Sequence, residues 1–261
     1  MTAEFVSEGP DDTEHVGAGI AARAAKDGYT YFMGAVHHAI APSVYKKLDY
    51  RLEKDFAPLA VVAMVPQVIV VTPKRVKETD LASLIALAKK NPGKLSFGTS
   101  GVGASPHLSM ELLKSMTGTN IVHVPYKGAA PALADVMGGQ IPLSIGNLPG
   151  GPLAAVKSGR LRGVGVTTAK RSARAPEVPT FAEGGVPGYL AVGWNGLMGP
   201  GNMPQPVLDK IHDAVVRIVR TPEMNQRLVD LGAEPALSTP AEFGALIKSE
   251  IVKWAKVVKE S

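Results

Sequence analysis

The sequence contains no cysteine, which removes disulfides, thiolate nucleophiles and thiolate metal sites at once. Aromatic residues make up only 5% of it, and no aromatic side chains interleave with a basic stripe. Lysines and arginines are scattered, as at Lys46-Lys47, Lys89-Lys90, Arg160/Arg162 and Lys170-Arg171. The formal charge of +5 therefore does not describe a nucleic-acid surface, and no nucleic-acid partner is expected. Crossing a bilayer as a helix takes about 20 consecutive apolar residues, and no run approaches that length. The start, MTAEFVSEGPDDTEH, has neither a basic n-region nor an apolar h-region, so no signal peptide is read in this chain. What remains is ample for a globular core. The chain has 261 residues, 45% of them hydrophobic and 20% charged, enough for one large domain or two modest ones.

Hydrophobic periodicity alternates between strand and helix along most of the chain. Val16 to Ala25 is alanine-rich and predicted helical, with Gly28 placed for a left-handed cap. Tyr29 to Ala35 reads as a strand. FAPLAVVAM and QVIVVTP are β-branched runs broken by Pro66 and ended by Pro73, two further strands. DLASLIALAKK has apolar residues at Leu81, Leu84, Ile85, Leu87 and Ala88, a helical face, and stops at Asn91-Pro92-Gly93. Then follow the strand KLSFGTS, a helix from His107 to Met116, the strand NIVHVPY, the helix APALADVMGG, the strand QIPLSIG, the helix GPLAAVKSGR and the strand LRGVGVTT. This alternation predicts an α/β fold with mainly parallel sheets. From Pro204 the pattern turns helical: Pro204 to Arg220, Pro222 to Leu231 and Pro240 to Lys259, with Thr221 and Thr239 where N-caps belong.

The stretch FGTSGVGASPHL, Phe97 to Leu108, carries the richest chemistry. A nucleophile elbow needs G-x-S-x-G, but Gly98-Thr99-Ser100-Gly101-Val102 has valine in the last position. A dinucleotide fingerprint needs a final glycine or alanine where Pro106 stands, and no Walker lysine follows. Glycines that let backbone N–H groups converge, hydroxyls from Ser100 and Ser105, and a helix N-terminus together suit a carboxylate. A capped turn, with Ser105 as N-cap and Pro106 opening the helix, explains the same residues. Tyr126-Lys127-Gly128 and GNLPGG, Gly146 to Gly151, also lie at the ends of strands, and open α/β sheets bind ligands outside the carboxyl ends of their strands, although an ordinary connection with a solvated lysine explains the first equally. His37, His38, His107 and His123 show no H-x-x-x-H or H-E-x-x-H spacing, so no metal is expected. Trp194, amid glycines, fits either the core or the roof of a cleft.

The run FGTSGVGASPHLSMELLKSMTGTNIVHVPYKGAAPALADVMGGQIPL resembles the Bug-type extracytoplasmic solute receptors, the TctC family. The likeness continues through APEVPTFAEGGVPGY, GWNGLMGP and LGAEP, in that order, and spans roughly Phe5 to the C-terminus. It implies a two-domain periplasmic-binding-protein (Venus flytrap) fold. Domain 1 would comprise residues 1–98 and 198–261 and domain 2 residues 99–197, with ligand held between them. The resemblance carries contacts onto His37, His38, Ala39 and Ile40; onto Thr99, Ser100, Gly101, Val102, Ser105 and His107; and onto Tyr126, Lys127, Asn147 and Trp194. Many relatives have an aspartate-bearing loop where Asn147 stands, which argues against amino-acid ligands here. Relatives also carry a signal peptide, a first strand and a PGG loop before the point where this sequence starts. By that likeness the first domain is expected to lack its N-terminal strand.

The expected function is that of a monomeric, cofactor-free solute-binding protein, not an enzyme. It would capture a small organic carboxylate in the periplasm for the permease of a tripartite tricarboxylate transporter or for a sensor kinase. Two other readings stay open at this point: an α/β enzyme acting on a carboxylate or acyl substrate, and a truncated paralogue that binds nothing.

Overall fold

Pro66 separates two β-branched runs, and the chain divides there. A computed structural model describes residues 13–260; the polar start, from which a missing signal peptide was read, lies mostly outside them. In chain order the elements of the first half are α1 (Thr13–Ala22), β1 (Phe32–Ala35), α2 (Val36–Val44), α3 (Leu52–Asp55), β2 (Phe56–Val65), β3 (Gln67–Val71), α4 (Leu81–Lys90), β4 (Ser96–Thr99), α5 (Ser105–Thr117) and β5 (Val122–Pro125). Then come α6 (Ala129–Gly138), β6 (Leu143–Asn147), α7 (Gly151–Lys157), β7 (Arg162–Val166), β8 (Gly193–Pro200), α8 (Gln205–Val219), α9 (Pro222–Asp230), β9 (Glu234–Pro235) and α10 (Pro240–Glu260).

One compact unit runs through Ala63 and takes in Trp194–Gln226 and Pro235–Lys256. Its sheet has the order β1-β8-β2-β9, with β1 antiparallel to β8 and Phe32 opposite Met198. Trp194, Trp254 and Phe243 are fully buried, and Trp194 meets Phe243 edge to face at 5.3 Å between centroids. The capping chemistry read for the tail is in place. Thr221 accepts the Met224 N–H at 3.3 Å, and Thr239 exchanges bonds with Glu242 in a capping box.

The other unit holds Met64–Gly193, Arg227–Glu234 and the residues from Val257. Its sheet runs β5-β4-β6-β3-β7. β4 is parallel to β5 and β6, whereas β3 is antiparallel to both β6 and β7. Four strands thus point one way and β3 points back between them. Val68, Val70, Val136, Leu148 and Val166 form the centre of its core. Each strand is short, and the helices over the sheet supply the apolar cover that a doubly buried strand such as QVIVV requires.

Several expectations change. The sheets are mixed rather than mainly parallel, because the chain leaves β2 through Pro66 and enters the second sheet at the end where its other strands finish. Periodicity reports which face a strand buries and is silent on its direction. For the same reason the expected boundary at residue 98 moves back: β3 and β4 pair with β6 in the second sheet. Of the tail, Arg227–Glu234 and the end of α10 also join that unit. The first helix ends at Ala22 rather than Ala25, so Gly28, at φ +86°, forms a turn and not a helix cap. Helix α2 was not anticipated, since Pro42 reads as a breaker; it falls near the helix end.

Gly196 in β8 lies against the Phe243 ring so closely that an added Cβ would overlap three ring atoms. Gly196→Ala is expected to lower stability by about 1–3 kcal/mol through overpacking. The loss should shrink in a Phe243→Leu background, as urea denaturation of the single and double variants would report.

Candidate functional site

Parallel strands deliver their carboxyl ends to one edge, and here β4, β5 and β6 do so side by side. Thr99 stands opposite Pro125, and Gly98 stands opposite Ser144. The following loops are then laced together by backbone. Tyr126 N–H donates to Thr99 O at 3.1 Å, and Gly128 N–H donates to Ser100 O at 3.1 Å. The expected residues Thr99, Ser100, Tyr126 and Lys127 are thus brought to one rim. Asn147 ends β6 on the same edge, with an exposed side chain.

The glycine-rich turn is shaped by its own side chains. Thr99 Oγ1 donates to Gly101 O at 3.1 Å and accepts the Gly101 N–H at 3.3 Å. The same Oγ1 lies 2.7 Å from His123 Nε2, a hydrogen bond whose donor is set by the imidazole tautomer. Gly103 N–H donates to His107 Nδ1 at 3.1 Å, which places the proton of His107 on Nε2. Gly103 sits at φ +77°, a conformation costly for any residue with a Cβ. Val102 projects outward, 70% exposed.

The two imidazoles stack at 4.0 Å, and Phe97 stacks on His123 at 4.9 Å. Burial, followed by the Lys114 charge, depresses the His107 pKa to about 4. Burial also lowers His123 to about 4, with His107 and Lys114 adding to it and Glu111 opposing. Although Glu111 lies 3.7 Å from His107 Nε2, its charge is met by Lys114, which contacts both carboxylate oxygens at 2.8 Å. Both histidines are therefore neutral at pH 7, bracing the turn as hydrogen-bonding groups and not as cations.

Helix α5 opens without a side-chain cap. Its first internal bond runs from Leu108 N–H to Ala104 O. The N–H groups of Ser105 and His107 precede that bond, and Pro106 has none to offer. Ser105 is not the N-cap. Ala104 occupies that position, and Ser105 Oγ instead takes a 2.7 Å hydrogen bond from Gln67 Nε2. Tyr126, expected to offer its phenol, donates it to Asp135 Oδ2 at 2.7 Å; burial and that carboxylate raise its pKa to about 12. Asp135 and Glu111 are thus engaged, and the groups left at the rim can all donate: the Ser100 hydroxyl, the Asn147 amide, Lys127 and the start of α5.

In the first unit, His37 is half-buried at the start of α2, while His38, Ala39 and Ile40 are buried at 2%, 0% and 1% exposure. His38 Nδ1 accepts the Ala35 N–H at 3.1 Å, fixing the strand-to-helix turn. Trp194 is core, 1% exposed, although its indole N–H finds no hydrogen-bond acceptor among the described residues. Sequence reasoning passed over Gln67 and Asp135, and it weighed His123 only as a metal ligand. Gln67 was detectable as the one polar residue opening an otherwise apolar strand. No group of three or more metal-ligating side chains occurs among the described residues. A recess of about 380 Å³ lined by Pro73, Arg162 and Glu177 lies at the opposite end of this sheet, where β3 stops and β7 begins.

This architecture is shared with known binding proteins. The chain superposes on an R. palustris protein solved with adipate with a TM-score of 0.83 at 36% identity, covering 96% of this chain and 83% of that one. It matches MatC from Rhodopseudomonas palustris, solved with bound malate, with a TM-score of 0.76 at 29% identity over 94% and 84% of the two chains. The fold is the two-domain periplasmic-binding-protein fold of solute receptors. Among curated sequences, the protein BugT of Bordetella pertussis is 32% identical over 248 residues, which is 94% of this chain and 76% of BugT. The chain belongs to the tripartite tricarboxylate transporter family of receptors, whose model matches residues 5–261.

Because His107 and His123 titrate near pH 4 when folded and near 6.5 when unfolded, only the unfolded chain takes up their protons in between. Their contribution to stability is complete above pH 6.5 and is lost as pH falls toward 4. Thermal melts are expected to drop over that window by on the order of several degrees. His107→Gln, whose side-chain oxygen can accept the Gly103 N–H without titrating, should flatten part of the drop.

Proposed function

We propose that this protein is a periplasmic solute-binding receptor that captures a small organic carboxylate and hands it to the membrane subunits of a tripartite tricarboxylate transporter. The observation that carries this reading is the rim at the carboxyl ends of β4 to β6, rich in hydrogen-bond donors, where the turn Thr99–Val102 meets the uncapped start of α5. An anion there gains hydrogen bonds from the turn and the favourable end of a helix dipole, and meets no competing free carboxylate. Neutral histidines behind the turn keep the site from becoming a general cation-lined anion trap. Recognition then depends on where hydroxyls and N–H groups point. The relatives solved with adipate and malate support a carboxylate as the ligand class, and family membership supports the transporter role. No helix among the described residues is long and apolar enough to cross a membrane.

The ligand class is tested by thermal shift against adipate, malate and a panel of neutral sugars. A ligand at 100 times its Kd should add about 2.7 kcal/mol of stability. Stabilisation by acids alone is expected; stabilisation by sugars alone would refute the reading. For the acid that binds, Ser100→Ala should remove a hydroxyl donor to a charged acceptor and weaken binding by roughly 1.5–3 kcal/mol in calorimetry.

A further inference from the structure

Gln67 is fully buried at the head of a strand whose next four residues, Val68 to Val71, are apolar and equally buried. A glutamine there pays for desolvation that a valine or leucine would avoid. Its backbone is already fixed: the N–H donates to Thr167 Oγ1 at 3.0 Å, and the carbonyl accepts the Thr167 N–H at 3.0 Å. The side chain is not needed for that. Among the described residues its Oε1 is buried without a hydrogen-bond partner, a condition that folded proteins seldom tolerate without a reason. The only side-chain bond Gln67 gains among them is the 2.7 Å contact from Nε2 to Ser105 Oγ.

That bond has a chemical consequence. An amide nitrogen only donates, so Ser105 Oγ must accept from it with a lone pair. The hydroxyl keeps its one proton and is held by this bond in a restricted orientation. A serine in the first helical turn otherwise turns its proton back to a nearby backbone carbonyl. Ser105 is only partly buried and stands at the uncapped N-terminus of the thirteen-residue helix α5. We propose that Gln67 is a positioning residue of the receptor site: by donating to Ser105 it reserves the Ser105 hydroxyl proton for a carboxylate oxygen of the ligand. The inference rests on the carboxylate-receptor reading above. Gln67 acts through Ser105 and does not itself touch the ligand, consistent with its complete burial.

A double-mutant cycle in ligand affinity tests this, using Gln67→Met, which keeps length and volume, and Ser105→Ala, with adipate and malate as probes. In the wild-type background Gln67→Met should weaken binding roughly three- to tenfold, the worth of one oriented hydrogen bond. In the Ser105→Ala background it should cost nothing further. Apo stability should hold or rise in Gln67→Met, since an unpartnered buried oxygen has been removed. An equal loss in both backgrounds, or no loss in either, would overturn the proposal while leaving the receptor reading intact. If the wild-type protein binds neither acid, both fall together. Should Gln67→Met not fold, Gln67→Asn, one methylene too short to reach Ser105, carries the same cycle with the same expected outcomes.

Discussion

One strand running against its neighbours organises the loop-bearing edge of the second unit, where β4, β5 and β6 end. β4, β5, β6 and β7 share a direction, and β3 is inserted between β6 and β7 in reverse. The first residue of β3 therefore lies where the others end, opposite Asn147. If β3 ran with the rest, Gln67 would sit at the far end of the sheet and could not reach α5. The reversed strand places a buried amide beneath the opening turn of a helix, and the orientation of Ser105 follows from it. The sheet bears the cost through the hydrophobic cover on β3, whose five residues are all buried.

The turn above this edge is held by hydrogen bonds that are indifferent to any ligand. Thr99 and His107 satisfy the N–H groups of Gly101 and Gly103 from behind, with His123 bonded to the Thr99 hydroxyl, so the glycines keep their unusual backbone angles without a bound anion to enforce them. A preorganised turn spends less ordering free energy on binding. Burying the histidines in a stack against Phe97, beside a Lys114–Glu111 pair, keeps them neutral. The turn is thus scaffolded from beneath by uncharged rings, which leaves the hydroxyl of Ser100 and the start of α5 outside that scaffold.

Much of this was legible in the sequence, and the parts that were not share a cause. Asp80 caps α4 through the Ser83 N–H, and Thr239 with Glu242 caps α10; both are local signals within four residues. QVIVV read as a strand, and all five of its residues are buried. The glycine, serine and proline between Phe97 and Leu108 marked the strand-to-helix junction between β4 and α5. What escaped was every relation between distant residues: the direction of β3, the Gln67–Ser105 bond across 38 positions, and the Thr99–His123 bond across 24. His38 and Trp194 were chosen as contacts by resemblance, and both are buried. A position carried over from relatives says nothing of how far a side chain is covered. Tyr126 shows the same limit, since only the folded chain brings Asp135 to its phenol.

The division of the chain has a consequence for how such receptors vary. Residues up to Ala63, Trp194–Gln226 and Pro235–Lys256 build one unit, and the intervening stretches build the other. The polypeptide therefore returns to each unit repeatedly, and neither is a contiguous module. A single recombination between two related genes, wherever it falls, yields a chimaera in which at least one unit is assembled from both parents. Core pairs such as Gly196 with Phe243, drawn from segments far apart in sequence, would then be mismatched in size. Such receptors are therefore more readily altered by point substitution than by exchange of whole units.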